Sequence, residues 1–368
     1  MKVLIISHYL NFNLNNKNKV NIFPRLLLNA IKNAGMTYEI CTFTLQNVMN
    51  GIKNGCMFIF NFEEASTQNA IKFMGDTKPD AINRMFKCLY DIEKKVPIYP
   101  PIHMLQLIKS KTYLELIPNK SKLFMPYTKT FMFYKTTISK KLSEVCHYFT
   151  LKNIHYIVIK FGYIGDSEHV FKYAIDSLES PLVKSKLLDE MTEYRVKCGI
   201  PFLVIVQPFN PIISNRLNEY RCLFVGGQLS PIAAFGFSKD PIQNTRIHIP
   251  SNELNPEENI DHAYVVTLAK YGYDMMSRYV GLLPPVLRID VSWVLENNVK
   301  RFYINEYEGL SGTYYFNLPY IPKRFGAFLV TDKFQCTPKI CKDYPEKPQL
   351  LLANSLVQYI KDHSDYVK

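Results

Sequence analysis

The chain has 368 residues, 47% of them hydrophobic and 21% charged, with a formal net charge of +12. This composition excludes an intrinsically disordered chain, and the length exceeds what one compact core usually holds, so two or three domains are expected. The positive charge favours anionic binding partners, among which nucleic acid and small anionic substrates fit equally well.

The first hundred residues alternate between strand and helix patterns. Apolar runs predict strands at 2–7, 37–44, 57–62 and 96–101, and longer stretches predict helices at 22–35 and 80–95. Asp80 is the predicted N-cap of the second helix. Alternation of this kind is typical of a parallel α/β layer.

The middle of the chain mixes further helices and strands. Helices are predicted at 103–117, 138–151 and 186–199, and strands at 125–134, 154–162 and 202–209. Lys160 lies near the end of one strand, which runs into a polar loop containing Gly162, Gly165 and Ser167. Glycines allow backbone amides to approach a phosphate closely. Most lysines at strand ends are simply solvated, however, and the loop lacks the spacing of the known phosphate-binding glycine motifs.

The following segment predicts a β-hairpin and a long helix. The hairpin spans 218–237 and turns at Gly226 and Gly227. The helix spans 261–280 and precedes two further strand-like runs.

Three carboxylates lie in these last two runs. Asp290 belongs to "LRIDV", and Glu306 and Glu308 end the run "FYINEYE". Residues i and i+2 of a strand point to the same face, so these acids would repel one another on one sheet surface. Glutamate is seldom buried without a partner. A divalent cation would hold the three together, and Mg²⁺ is usually bound by carboxylates and substrate phosphates.

Two arginines accompany these acids. Arg221 lies two residues from Glu219, and Arg288 lies two residues from Asp290, so each pair shares a strand face. Structural ion pairs would explain both arginines.

The order of these parts resembles the ATP-grasp superfamily over roughly residues 105 to 330. The segment "RIDVSW … FYINEYE" is similar to the metal-binding end of D-alanine–D-alanine ligases, and "EYRCLFVGG" is similar to the hairpin of ribosomal-protein glutamate ligases. The segment "YPPIHMLQLIKSKTYLELI" is similar to the one that leads into the first ATP lysine in both.

The resemblance implies an α/β and α+β fold, in which a Rossmann-like N-terminal lobe precedes a two-lobed ATP-grasp fold. The implied domains are a Rossmann-like domain at 1–105, an ATP-grasp N-terminal lobe at 106–205 and a C-terminal lobe with the metal site at 206–368.

The resemblance also implies a role for each candidate residue. Lys111 (less securely Lys109) and Lys160 would hold ATP phosphates, and the loop with Gly162, Gly165 and Ser167 would close over them. Gln207, Pro208 and Phe209 would form the adenine hinge, and Glu219 would bind the ribose hydroxyls or take a nearby polar role. Asp290, Glu306 and Glu308 would ligate Mg²⁺ or Mn²⁺, and Arg221 and Arg288 would face the transferred phosphate and the acyl phosphate.

The implied activity is an ATP-dependent carboxylate–amine ligase that forms an acyl phosphate and releases ADP and phosphate. Its carboxylate and amine substrates would be amino acids, peptides or a protein-borne group. Two other classes stay open. The hairpin also resembles ATP-grasp-related factors that assemble a translation initiation factor, and the net charge leaves a nucleic-acid-binding protein as an alternative.

Cysteine usage and hydropathy bear on the compartment. The eight cysteines include no CxxC pair, and Cys336 and Cys341 lack partners at zinc spacing. This favours a reduced, cytoplasmic compartment. No apolar run has the length of a signal peptide or a membrane span, so we expect a soluble protein without a membrane partner.

Overall fold

The computed structural model describes most of the chain, in segments separated by gaps. The described residues are 1–7, 22–63, 65–78, 80–116, 123–134, 136–163, 170–198, 202–211, 217–229, 232–236, 245–248, 256–309 and 346–364. Gly165, Ser167, Cys336 and Cys341 lie outside them. Among the described residues, the helices are all too short or too polar to cross a membrane.

The N-terminal sheet is parallel throughout, which confirms the predicted layer. Its strands are β1 (Lys2–Ile6), β2 (Thr37–Cys41), β3 (Phe58–Asn61) and β4 (Ile98–Tyr99), in the order β2-β1-β3-β4. Its helices are α1 (Ile22–Asn33), α2 (Leu45–Lys53), α3 (Thr67–Met74) and α4 (Ala81–Glu93). Neither α2 nor α3 was predicted from the sequence. A Rossmann-like identity of this lobe stays a prediction.

Two local predictions in this region were wrong. Asp80 precedes α4 in the left-handed conformation, with φ 69°, and its side chain caps no helix amide. An N-cap residue normally has an extended backbone, which aims its side chain at the first turn. The predicted helix at 103–117 is divided into α5 (Ile102–Ser110) and α6 (Tyr113–Leu116). Lys111 divides them, because its left-handed backbone, with φ 60°, ends α5.

A second sheet of four antiparallel strands follows. It contains β5 (Lys129–Phe133), β6 (Tyr156–Phe161), β7 (Val170–Ala174) and β8 (Phe202–Pro208), in the order β5-β8-β6-β7. The helices α7 (Ile138–Thr150) and α8 (Pro181–Cys198) follow β5 and β7. Alternate residues such as Ile157 and Ile159 enter a core shared with Leu142 and Leu187 of these helices. Lys160 therefore lies on the opposite face.

The third sheet carries the predicted carboxylates. Its strands are β9 (Leu217–Val225), β10 (Gln228–Leu229), β11 (Ile232–Gly236), β12 (Thr245–His248), β13 (Val286–Glu296) and β14 (Val299–Glu308). Their order is β12-β11-β9-β13-β14, with β10 beside β9. The helix α9 (Pro256–Val280) packs on one face through Ala269 and Met276. The predicted hairpin turn is confirmed, because Gly226 and Gly227 both have positive φ and connect β9 to β10.

A further helix, α10 (Glu346–Ser364), joins the N-terminal sheet to the third sheet. Leu356 and Ile360 belong to the same core as Val3 of β1 and Val286 of β13. The sequence analysis did not predict this helix. The proposed domain boundaries stay a prediction, and α10 connects the first proposed domain to the last.

Tyr99 provides a polar link between these regions. Its hydroxyl donates to the carbonyl of Val286 and accepts from the amide of Val286, both at 3.2 Å, and the two residues are 187 positions apart. Its side chain is fully buried. A buried polar group that loses its hydrogen-bond partner lowers the stability of the folded protein.

We therefore expect Tyr99→Phe to lower the free energy of unfolding by about 1–3 kcal/mol, because the two backbone groups of Val286 lose this partner. Urea denaturation measures the change. Tyr134→Phe is the matched control, because Tyr134 is 49% exposed, and its effect should stay within about 0.5 kcal/mol. Equal stability of the two variants would contradict the structural role of the Tyr99 hydroxyl.

Candidate active site

One face of the third sheet gathers all the acids and arginines that the sequence analysis selected. Asp290 on β13 lies between Arg221 on β9 and Glu306 on β14, as a direct cross-strand neighbour of each. Arg288 lies opposite Glu308. These residues therefore form two adjacent rows across three strands.

A β-bulge makes this arrangement possible. The register of β13 and β14 shifts between Asp290 and Val291, which leaves Asn305 as the extra residue on β14. Ile304 and Tyr307 both enter the core against α9, although they are three residues apart. Regular alternation would place them on opposite faces. The bulge therefore turns Tyr307 to the core while Glu306 and Glu308 point to the other face.

The arginines form the ion pairs that the sequence predicted as one alternative. Arg288 binds Asp290 with two hydrogen bonds, Nε to Oδ1 at 2.8 Å and Nη2 to Oδ2 at 2.9 Å. Both side chains are buried. Arg221 Nε donates to Glu219 Oε1 at 3.2 Å. Asn305, which the sequence analysis did not select, donates from Nδ2 to Glu219 Oε2 at 3.2 Å.

Two lysines at the end of α5 reach the same face. Lys109 Nζ lies 2.9 Å from Glu308 Oε2, and Lys111 Nζ lies 2.5 Å from Glu306 Oε1. The end of β14 thus faces a helix that is distant in sequence, since Lys109 and Glu308 are 199 positions apart. The sequence could not reveal these pairings, because no local pattern connects α5 to β14.

The end of β6 packs tightly against the end of α5. The amide of Tyr163 donates to the carbonyl of Lys109 at 2.7 Å. A Cβ atom at Gly162 would lie 2.9 Å from the carbonyl oxygen of Ser110, which is too close for any other residue without movement of the backbone. Gly162 therefore has a packing role, whereas Gly165 and Ser167 of the predicted phosphate loop lie outside the described residues.

Lys160 completes the charged cluster from the second sheet. It forms no ion pair with any residue in the described part of the chain, and it is partly buried. Burial, and to a smaller extent the charge of Lys111, lower the pKa of Lys160 to about 8, while Glu306 and Glu219 act in the opposite direction. Lys160, Lys111 and Glu306 are therefore close enough to act on one another.

The acids respond to burial and to these cations. Burial alone would raise the pKa of Glu306, but the charges of Lys111 and Lys160 outweigh it and lower this pKa to about 2. Burial and the charge of Glu219 raise the pKa of Asp290, while Arg288 opposes the rise. Glu306 is therefore a firmly ionised carboxylate within a positive environment.

The predicted hinge begins with the last two residues of β8, Gln207 and Pro208. Gln207 Nε2 donates to Thr128 Oγ1 at 3.3 Å, and the amide of Phe209 donates to the carbonyl of Tyr156 at 2.8 Å. Pro208 has no N–H group. The next residue, Asn210, is buried and donates from its side chain to the carbonyl of Trp293 at 2.8 Å, which fixes the hinge to β13. The sequence analysis did not select Asn210.

Asp290, Glu306 and Glu308 are the predicted metal ligands. Within the described residues, no group of three or more His, Cys, Asp or Glu side chains is already arranged around a common metal position. Each predicted ligand is instead in an ion pair with a basic residue. The donor chemistry nevertheless suits Mg²⁺, because Asp290, Glu306 and Glu308 supply carboxylate oxygens on one sheet face.

The lowered pKa of Lys160 predicts a pH-dependent stability difference. Between about pH 8 and pH 10.5, the unfolded chain binds more protons at this residue than the folded protein does. The folded protein therefore gains stability as the pH rises through this window, and below it the unfavourable burial of the ammonium group is fully present.

We expect Lys160→Met to be more stable than wild type at pH 7, with a difference that shrinks as the pH rises from 8 to 10.5. Urea denaturation across this range measures it. Lys140→Met is the matched control, since Lys140 is exposed on α7. A difference between wild type and Lys160→Met that does not change with pH would show that Lys160 is an ordinary solvated lysine.

Comparison with known proteins shows a similarity of structure alone. No protein-family model matches the sequence, and no curated protein matches it. Among solved structures, the D-cycloserine synthetase DcsG has a TM-score of 0.58 at 12% identity, with 100% of each chain covered. The D-alanyl-alanine synthetase A from Vibrio cholerae O1 biovar eltor has a TM-score of 0.53 at 11% identity, covering 100% of this chain and 99% of that one. The RimK domain protein ATP-grasp from Sphaerobacter thermophilus has a TM-score of 0.50 at 12% identity, covering 96% and 98%.

Proposed function

Because the chain has the ATP-grasp fold, we propose that it is an ATP-dependent ligase that joins a carboxylate to an amine. The observation that carries this proposal is the cluster in which Lys109, Lys111 and Lys160 meet Glu306 and Glu308 of β14. These cations and acids come from three separate elements. A site for a magnesium–nucleotide complex needs both kinds of charge at one place.

The proposed roles follow from the positions of the side chains. Lys111 and Lys160 bind the phosphates of ATP, and the segment from Gln207 to Phe209 lies beside the adenine. Glu219, held by Arg221 and Asn305, binds the ribose hydroxyls. Asp290, Glu306 and Glu308 hold Mg²⁺ or Mn²⁺, which when bound supplies further neutralisation of the phosphate charge.

The chemistry assigned to the site is phosphoryl transfer followed by acyl transfer. A carboxylate is a poor acyl donor, so its oxygen first attacks the γ-phosphorus of ATP, which forms an acyl phosphate and releases ADP. The amine then attacks the acyl carbon and displaces phosphate. Both steps need charge stabilisation more than covalent help from the protein. Arg288 and Arg221 lie on the face where the acyl phosphate forms. A cytoplasmic protein with an amino acid, peptide or protein-borne substrate is part of the same proposal.

The first test of this proposal is metal-dependent nucleotide binding. We expect calorimetry to detect ADP binding that is stronger with Mg²⁺ than with EDTA. Glu306→Gln should weaken the magnesium-dependent part by about tenfold or more, because it removes one charge of the metal site. Glu296→Gln is the matched control, because Glu296 is an acid on the same strand pair whose partner is Arg301 at the exposed end.

Loss of magnesium dependence in Glu296→Gln but not in Glu306→Gln would place the metal elsewhere. Asp290→Asn is a weaker test. It breaks the buried ion pair of Asp290 with Arg288, which would destabilise the protein by about 3–5 kcal/mol.

The second test identifies the products. We expect ADP and phosphate to be released when a carboxylate and an amine are both supplied, and we expect turnover to rise with an acceptor. A screen of amino acids and small peptides with phosphate release as the readout measures this. Release of AMP and pyrophosphate would contradict the acyl-phosphate mechanism. Nucleotide binding without acceptor-stimulated turnover would instead support an assembly factor.

A further inference from the structure

The two lysines at the end of α5 lie in different surroundings. Lys109 is the second-to-last residue of the helix and is only 7% exposed. Lys111 follows the helix in the left-handed conformation, with φ 60°, and is more exposed. A non-glycine residue with a left-handed backbone is under strain, and strained residues of this kind are often found at functional sites.

Lys109 is held at both its side chain and its backbone. Its ammonium binds Glu308 at 2.9 Å, and its carbonyl accepts the amide of Tyr163 at 2.7 Å. It therefore joins α5 to β14 and to the end of β6. The side chain of Glu308 is only 15% exposed, so movement of Lys109 toward a phosphate would leave a largely buried carboxylate without its cation.

The ion pair of Lys111 is more exposed than that of Lys109. The partner of Lys111, Glu306, has a side chain that is 25% exposed. Lys111 also lies near enough to Lys160 for their charges to repel one another. An anion between the two ammonium groups would relieve this repulsion, and Glu306 would remain free to bind a cation.

We propose that Lys109 is a positioning residue that keeps Glu308 in place both before and after nucleotide binding, whereas Lys111 exchanges Glu306 for phosphate. This inference rests on the proposed function. It gives Lys109 and Lys111 different roles, whereas the resemblance gives them as alternatives for one phosphate-binding lysine.

Two charge-neutral double variants separate these roles. Lys109→Met/Glu308→Gln and Lys111→Met/Glu306→Gln each remove one positive and one negative charge from an ion pair. ADP affinity is measured by calorimetry in EDTA, so that the lost carboxylates do not affect the result through a metal. Circular dichroism confirms that each variant is folded, and Lys87→Met on the exposed side of α4 is the control.

We expect the Lys109 double variant to bind ADP within about threefold of wild type, and the Lys111 double variant to lose about tenfold or more, as for the loss of one charged donor to a phosphate. Lys109→Met alone should lower Tm, and Glu308→Gln in that background should restore part of it, because the unpaired carboxylate is then gone. Lys109→Arg should retain both Tm and ADP affinity, since arginine is able to keep the ion pair.

Equal losses of ADP affinity in the two double variants would overturn the inference, because Lys109 would then contact phosphate itself. An unchanged affinity in the Lys111 double variant would overturn it as well. If the wild-type protein binds no ADP in EDTA or with Mg²⁺, the proposed function fails and takes this inference with it. If wild type binds ADP and the two double variants lose the same affinity, the inference fails but the proposed function stands.

Discussion

Acids placed side by side on one sheet face must each meet a cation, and this requirement determines how the sheets and helices of the site pack. An unpaired buried carboxylate is strongly unfavourable. The arginines satisfy Asp290 and Glu219 from within their own strands. Glu306 and Glu308 depend instead on Lys111 and Lys109 of α5. The third sheet is therefore connected to α5 by charge as well as by apolar contacts.

The part of the site that the sequence predicts is the part governed by strand periodicity. Residues two apart share a strand face, so the pairing of Arg288 with Asp290 and of Arg221 with Glu219 follows from the sequence, and the structure confirms it. Two features of the site cannot be predicted from any local sequence pattern. The lysine–glutamate pairs join distant segments. The bulge at Asn305 depends on which side chains fit against α9, because it lets both Ile304 and Tyr307 enter the core.

The fold divides in the same way. Continuous apolar runs correctly predict the central strands β1 and β3 of the parallel sheet, since strands buried on both faces carry few polar residues. The helix α2 contains Asn and Gly, which are weak helix formers, so tertiary packing rather than propensity determines it. The helix breaks at Lys111, where the sequence has no proline or glycine from which a break could be predicted. Its left-handed backbone is held by the contacts of α5 with β6 and β14.

The position of α10 has a consequence for the order in which the protein folds during synthesis. One face of the parallel sheet, with Val3 and Phe58, is covered by Leu356 and Ile360 of this helix. Roughly 250 residues separate the parallel sheet from α10, so a ribosome that adds about 5–20 residues per second needs about 10–50 s to supply it. The helix α1 covers part of this face through Leu27 and Ile31, and the part that α10 covers stays exposed during that interval. Chaperone binding to the emerging chain would be concentrated on that face, and release would follow the arrival of α10.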